Sequence, residues 1–260
     1  MDLLTGYRLL VEAASAGANV TVLADEFNRA LEGGGSLGPD FGALAQRLAD
    51  EARRSFLVSV AVAVVVLAVA AVAAAFLFRY RRRLAGWLWL KAWGGGVLRP
   101  GGGRPRTLLF DGEVLAVLAA VAVVGVALAA SLLLRPAAGE PFSAIGLLGP
   151  GGKIGGYPAE VQLGAPISLY IYVYNHMGTP MWFVVYVKVS NSTAEPPLPG
   201  RPAVVMQRLL LDNGTWIAPL SIALNSTGRQ RIVAELWAVY PNGTLAYTGR
   251  YVQLWVDVRG

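Results

Sequence analysis

Hydrophobic positions follow three different rhythms along the chain. Over residues 1–54 they recur at helical spacing: Leu4, Leu9, Leu10 and Ala13, then Leu23, Phe27, Ala30 and Leu31. This spacing predicts helices over 3–16 and 20–32, with Asn19 or Thr21 capping the second and Gly33-Gly34-Gly35 ending it. A third helix is expected over 41–54. The segment is too short for a substantial core of its own. It should therefore pack on the C-terminal β domain, on a partner or on a membrane surface.

Polar positions then nearly vanish twice. Residues 56–78 form a run of 23 without a charge, and 114–134 a second run of 21. At about 1.5 Å per residue, either run is long enough to cross a hydrocarbon layer of about 30 Å. The expected architecture is a membrane protein with a two-helix transmembrane hairpin, spans at 55–78 and 114–134. Small residues in the second run, such as Ala116, Ala120, Gly125 and Ala129, suit close helix packing.

From residue 158 the rhythm becomes alternation. Strands are expected at 158–164, 166–175, 181–190, 203–211, 215–224, 229–240 and 245–258. Gly164-Ala165-Pro166, Gly178-Thr179-Pro180, Pro196 to Pro202, Asp212-Asn213-Gly214 and Pro241-Asn242-Gly243 supply turns. Short strands at this spacing predict a C-terminal all-β immunoglobulin-like sandwich within 135–260. The alternation also assigns faces. Ile167, Leu169, Ile171 and Val173, with Phe183, Val185, Val187 and Val189, and with Val252, Leu254, Val256 and Val258, form the natural core.

Aromatic residues remain for the outer faces. Trp182, Tyr186, Trp237, Tyr251 and Trp255 are expected to share one exposed face, a candidate for binding a protein or a glycan. Cross-strand pairing, or cover by the N-terminal helices, would account for the same residues. Tyr170, Tyr172 and Tyr174 fall on the other sheet.

Charge orients this plan. Of the 260 residues 55% are hydrophobic and 15% charged, against about 25% charged in ordinary soluble domains. The net charge of +6 is concentrated between the apolar runs, where Arg79, Arg81, Arg82, Arg83, Lys91, Arg99, Arg104 and Arg106 fall within 79–113. The positive-inside rule makes this the cytoplasmic loop, with both chain ends extracytoplasmic. Trp87, Trp89 and Trp93 read as an interfacial segment beside lipid headgroups. The basic residues thus point to a lipid bilayer and not to nucleic acid. No signal peptide is visible over residues 1–18; either the first span is a reverse anchor or an upstream leader precedes the sequence.

Five Asn-X-Ser/Thr sequons begin at Asn19, Asn191, Asn213, Asn225 and Asn242. All five lie in segments that the charge rule places outside, so glycosylation is expected there.

Catalytic chemistry has little to work with. There is no Cys, which excludes disulfides and thiolate metal sites, and His176 is the only His. Its place beside Asn175 at a strand end suggests a turn-stabilising pair. Gly94-Gly95-Gly96 and Gly101-Gly102-Gly103 lack the strand–loop–helix setting of a phosphate loop and read as linker. No cofactor or metal is implied. Neither apolar run holds a charge, which argues against an ion pathway.

One stretch carries a family likeness. It holds Leu147-Leu148-Gly149-Pro150, Gly156-Tyr157-Pro158, Val161, Gly164 and Tyr174-Asn175-His176. It resembles the archaeal membrane proteins grouped as domain of unknown function 1616. Members pair membrane spans with a C-terminal extracytoplasmic β domain that has a Gly-Tyr-Pro, a Gly and a Val-Asn-His signature; here Tyr174 takes the place of the Val. The resemblance implies an archaeal envelope protein and no activity. The expected function is a non-catalytic accessory or scaffold subunit of the cell membrane. It would be two-pass, with a membrane-protein partner or as a homo-oligomer, and its outer sandwich would bind a protein or a glycan. The alternative is an accessory subunit of a membrane-embedded enzyme complex for glycosyl transfer or protein translocation.

Overall fold

The structure, a computed structural model, describes residues 1–92, 130 and 140–260. Two units are distinguished: Met1–Arg53 together with Ala138–Gly260, and Arg54–Ala137.

The first unit begins with α1 (Leu3–Ser15) and α2 (Thr21–Gly33), followed by the start of α3 (Phe41–Ala92). The side chain of Asn19 accepts hydrogen bonds from both the amide (3.1 Å) and the hydroxyl (2.7 Å) of Thr21, which holds the entry to α2. Gly34 ends α2 at φ +108°, a left-handed conformation that glycine adopts without strain. Tyr7, Leu10, Ala13, Leu23, Phe27, Phe41 and Ala45 bury themselves against one another. The cluster is completed by Leu209, with Trp182 and Leu211 packed against it. Of the three expected resting places, the helices therefore use the β domain.

Eight strands follow: β1 (Phe142–Leu148), β2 (Glu160–Gln162), β3 (Pro166–His176), β4 (Met181–Ser190), β5 (Val204–Leu210), β6 (Thr215–Ala223), β7 (Gly228–Val239) and β8 (Leu245–Arg259). They form a three-stranded sheet ordered β1-β3-β6 and a five-stranded sheet ordered β2-β8-β7-β4-β5. The inner faces meet in one core: Ile167, Leu169, Ile171 and Val173 from one sheet, and Phe183, Val185, Val187, Ile232, Leu236 and Val256 from the other. Each of the larger fully buried side chains contributes about 1.5–3 kcal/mol, which holds the sandwich without disulfides.

The strand expected at 158–164 shrinks to β2, which pairs in parallel with the end of β8. β1 was not expected at all. Its run Phe-Ser-Ala-Ile-Gly-Leu-Leu has no two-residue period, because most of its positions are half-buried on both sides of an edge strand. Ile145 and Leu147 reach the core, while Gly146 leaves room for the ring of Tyr172.

The helix expected over 41–54 and the apolar run 56–78 are one continuous helix, α3. Among the described residues no helix is long and apolar enough to cross a membrane. The structure thus does not supply the expected hairpin. The second run, 114–134, lies outside the described residues apart from residue 130, as do Trp93, Arg99, Arg104 and Arg106.

Candidate binding face

The signature residues serve the fold. Asn175 is fully buried where β3 turns into β4. Its Nδ2 donates to the carbonyls of Thr179 (2.9 Å), Leu210 (3.0 Å) and Leu211 (3.0 Å), and its Oδ1 accepts from the amide of Met177 at 3.1 Å. One carboxamide thereby joins the β3–β4 turn to the β5–β6 turn, which only a side chain with donors and an acceptor achieves. His176 Nδ1 lies 2.6 Å from Asn213 Oδ1, and its ring rests near Phe142 and Tyr174. A carboxamide oxygen only accepts, so Nδ1 carries the proton. Tyr157 donates to the carbonyl of Leu147 at 2.7 Å and closes the loop between β1 and β2. Gly149 stands where any Cβ would fall 2.0 Å from the carbonyl oxygen of Gly155. Among the described residues no group of three or more metal-ligating side chains occurs.

The cross-strand register places the five expected aromatic residues on the same side of the five-stranded sheet. Val184 is opposite Trp237, Tyr186 opposite Glu235, Glu235 opposite Tyr251, and Arg231 opposite Trp255. The face is not exposed throughout, however. Trp182 lies against Tyr7 and Phe27, with ring centres 6.1 and 5.4 Å away, beneath α1 and α2. Tyr7 donates to the carbonyl of Pro180, and burial pushes its phenol up to about 12. Asn28 completes the docking by pairing with both backbone groups of Leu209, at 2.8 and 3.0 Å, on the open edge of β5.

At the opposite end the connection between β4 and β5 folds back over the sheet. Its Leu198 offers its amide to Glu235 at 2.6 Å and its carbonyl to Lys188. Lys188 and Glu235 form an ion pair at 3.1 Å, with side chains 9% and 0% exposed. Arg231 reaches the carbonyls of Ser192 (3.1 Å) and Ala194 (2.8 Å). Trp255 lies under the guanidinium groups of Arg229 and Arg231, 5.2 and 5.9 Å from its ring centre. Sequence alternation marks Lys188 as outward-facing, but nothing local shows that residues 191–203 return over it.

Between these two covers an aromatic patch stays accessible. Tyr186, Trp237 and Tyr247 follow one another with ring centres 5.6 and 5.5 Å apart. Tyr251 and Val205 beside them are 39% and 55% exposed. Trp237 donates to Glu235 Oε2 at 3.2 Å. Tyr247 joins this group unexpectedly: a register shift between Leu236 and Trp237 opposes it to Trp237. Burial, with the negative charge of Glu235 next, raises its phenol above the ordinary value. Among the described residues three buried polar side-chain atoms lack a partner: Trp182 Nε1, Arg231 Nε and Tyr247 Oη. All three belong to this face by register.

Asn19, Asn191, Asn213, Asn225 and Asn242 are all exposed. Asn213 and Asn242 lie in turns at the end of the sandwich where the helices dock; Asn191 and Asn225 lie at the other end.

No curated protein matches the sequence. Among solved structures, a β-glucosidase from Listeria innocua in complex with glucose aligns with 46% of this chain at 12% identity and a TM-score of 0.33, and the chain spans 16% of that protein. The CARDB domain of the PF1109 protein from Pyrococcus furiosus, in complex with di-metal ions, aligns with 48% at 15% identity and a TM-score of 0.32, covering 95% of that domain. A chain of the human complex between zinc 2-glycoprotein and prolactin-inducible protein aligns with 46% at 13% identity and a TM-score of 0.32, covering 97% of that chain. Residues 136–257, the β domain with its Gly-Tyr-Pro and Asn-His residues, match the family described as Domain of unknown function (DUF1616), and the β domain of this chain belongs to that family.

Proposed function

We propose that the chain is a membrane-anchored, non-catalytic cell-envelope protein. It acts as an accessory or scaffold subunit whose immunoglobulin-like sandwich binds a protein or glycan partner outside the cell. The partner docks on the five-stranded sheet at Tyr186, Trp237, Tyr247 and Tyr251. One observation carries this reading: Tyr186, Trp237 and Tyr247 form an aromatic row between the two covers, with ring centres 5.6 and 5.5 Å apart, and the Tyr247 hydroxyl within it is buried without a partner. Buried polar groups are ordinarily satisfied, so an unmet hydroxyl beside an accessible patch suits a partner that brings a hydrogen-bonding group. Aromatic rings offer contact area at low entropic cost and bind protein and sugar surfaces alike.

The membrane reading rests on residue chemistry. Phe56, Leu57, Val58, Val62, Val64 and Val65 on α3 are each more than half exposed. These positions point around about two thirds of the helix, and so wide an apolar surface needs lipid or protein about it. The Arg-rich stretch beyond the run supports a cytoplasmic loop, and the strand order supports an immunoglobulin-like sandwich.

The test is extraction of the full chain from native membranes in mild detergent, beside the double variant Tyr186→Ala/Tyr251→Ala. The expected result is a stoichiometric companion, protein or glycan, held by the wild type and lost from the variant. Equal recovery from both, or release of the chain by an alkaline wash without detergent, contradicts the proposal.

A further inference from the structure

The outer face of the three-stranded sheet is unlike its counterpart. β3 presents Ser168, Tyr170, Tyr172, Tyr174 and His176 there, alternating with its buried aliphatic residues. The facing positions of β1 and β6 are apolar, small or hydroxyl-bearing, and none of the residues on this face is Asp, Glu, Lys or Arg. The face is open: Phe142 is 42% exposed and Ile217 55%. Solvent-facing sheet surfaces normally carry charges, and an uncharged aromatic one marks a contact surface.

A sequon touches this face. Asn213, at φ +59°, sits in the turn between β5 and β6. Its Oδ1 accepts from Tyr174 Oη at 3.1 Å and from His176 Nδ1 at 2.6 Å, while its Nδ2 donates to Asp212 Oδ2 at 3.1 Å. The side chain is thus fixed at the end of the tyrosine row. Tyr172 comes next along the strand, about 7 Å further by strand geometry. Its ring lies over Gly146, where an added Cβ would come within 3.5 Å of Tyr172 Cδ1. A ring laid across a glycine in this way presents its other side outward.

We infer that Asn213 carries an N-linked glycan whose first sugars lie along Tyr174 and Tyr172. The inference rests on the extracytoplasmic placement of the β domain. The donor is an oligosaccharide linked through phosphate to a lipid. A bond forms between Nδ2 and the sugar C1, the bond from C1 to the phosphate oxygen breaks, the amide gives up one proton, and the lipid phosphate leaves. The glycosylated amide keeps its oxygen, so the bonds from Tyr174 and His176 survive. Sugar rings have apolar C–H faces that suit the phenol rings and hydroxyls that suit Tyr, Ser168 and Thr215. The absence of charge fits a neutral occupant.

The test uses the full chain purified in detergent from its own membranes, with glycopeptide mass spectrometry and hydroxyl-radical footprinting of the tyrosines. Thr215→Ala removes the sequon but keeps the Asn213 side chain; Thr215→Ser keeps the sequon and controls for the substitution. The expected result is sugar on Asn213 in the wild type and in Thr215→Ser, none in Thr215→Ala, and several-fold faster oxidation of Tyr172 and Tyr174 in Thr215→Ala alone. Sugar on other sequons but not on Asn213, or sugar on Asn213 with unchanged tyrosine oxidation, overturns the inference and leaves the envelope reading standing. Five bare sequons likewise overturn the inference, whereas release of the chain from membranes by an alkaline wash overturns the reading on which it rests.

Discussion

The two outer faces of the sandwich come from the same alternating pattern and end in opposite states. On the five-stranded sheet, Lys188, Glu235 and Arg231 are buried beneath a returning loop, and Trp182 beneath two helices. On the three-stranded sheet the exposed side has no charge and keeps Ile217 and Phe142 open. Alternation tells which way a side chain points. It does not tell what lies above it, because the covering segments are distant in sequence. Charge on an outer face is therefore no sign of solvent, and apolar character no sign of cover.

Breaking the covered face should have the largest effect. Glu235→Ala leaves the Lys188 ammonium buried without its counterion, and the loss should be about 3–5 kcal/mol in urea unfolding of the full chain. Replacing both partners by Leu and Met should recover most of it. A mere surface pair would lose under 1 kcal/mol or about that.

The helical cover can be tested by pH. The phenol of Tyr7 is raised to about 12 by burial, whereas in the unfolded chain it titrates near 10. Its contribution is fully present below pH 10 and is lost as pH rises towards 12. This amounts to about 2–3 kcal/mol, from roughly two pK units at 1.36 kcal/mol each. Tyr7→Phe should flatten the alkaline fall in stability; an unchanged pH profile would show that Tyr7 is not buried as described.

A smaller loss, about 1–3 kcal/mol, is expected for Asn28→Ala, which strips both bonds from the backbone of Leu209. Limited proteolysis should then cut within residues 1–40 before the β domain. The smallest effect belongs to the open face, where Ile217→Ser should change stability by no more than about 0.5 kcal/mol. A much larger loss would mean that Ile217 is covered.

Much of this was legible in the residues. The period-two runs of β3 and β4 give their limits to within one residue and most of their buried faces, although Val189 at the end of β4 is 38% exposed instead of buried, and the register unites Trp182, Tyr186, Trp237, Tyr251 and Trp255 on one side. The helices of the first 33 residues are legible from their spacing. β1 was not, since Ser143, Ala144 and Gly146 blur its alternation at an edge. Nor was the place of Tyr247, which depends on a bulge near Gly249. The cover of Trp182 by α1 and α2 is one of the alternatives that the sequence offers, whereas the stacking of Arg229 and Arg231 on Trp255 is not. Asn175 does hold its own turn, through Thr179 and Met177, but its bonds to Leu210 and Leu211 in a second turn are not legible locally.

The central claim is that a partner occupies the patch between the two covers. Hydroxyl-radical footprinting of Tyr186, Trp237 and Tyr251 tests it most directly, comparing the chain in native membranes with the chain purified away from every companion. The account predicts slow oxidation in the membrane and fast oxidation after purification. Equally fast oxidation in both would show that nothing docks there and would contradict it.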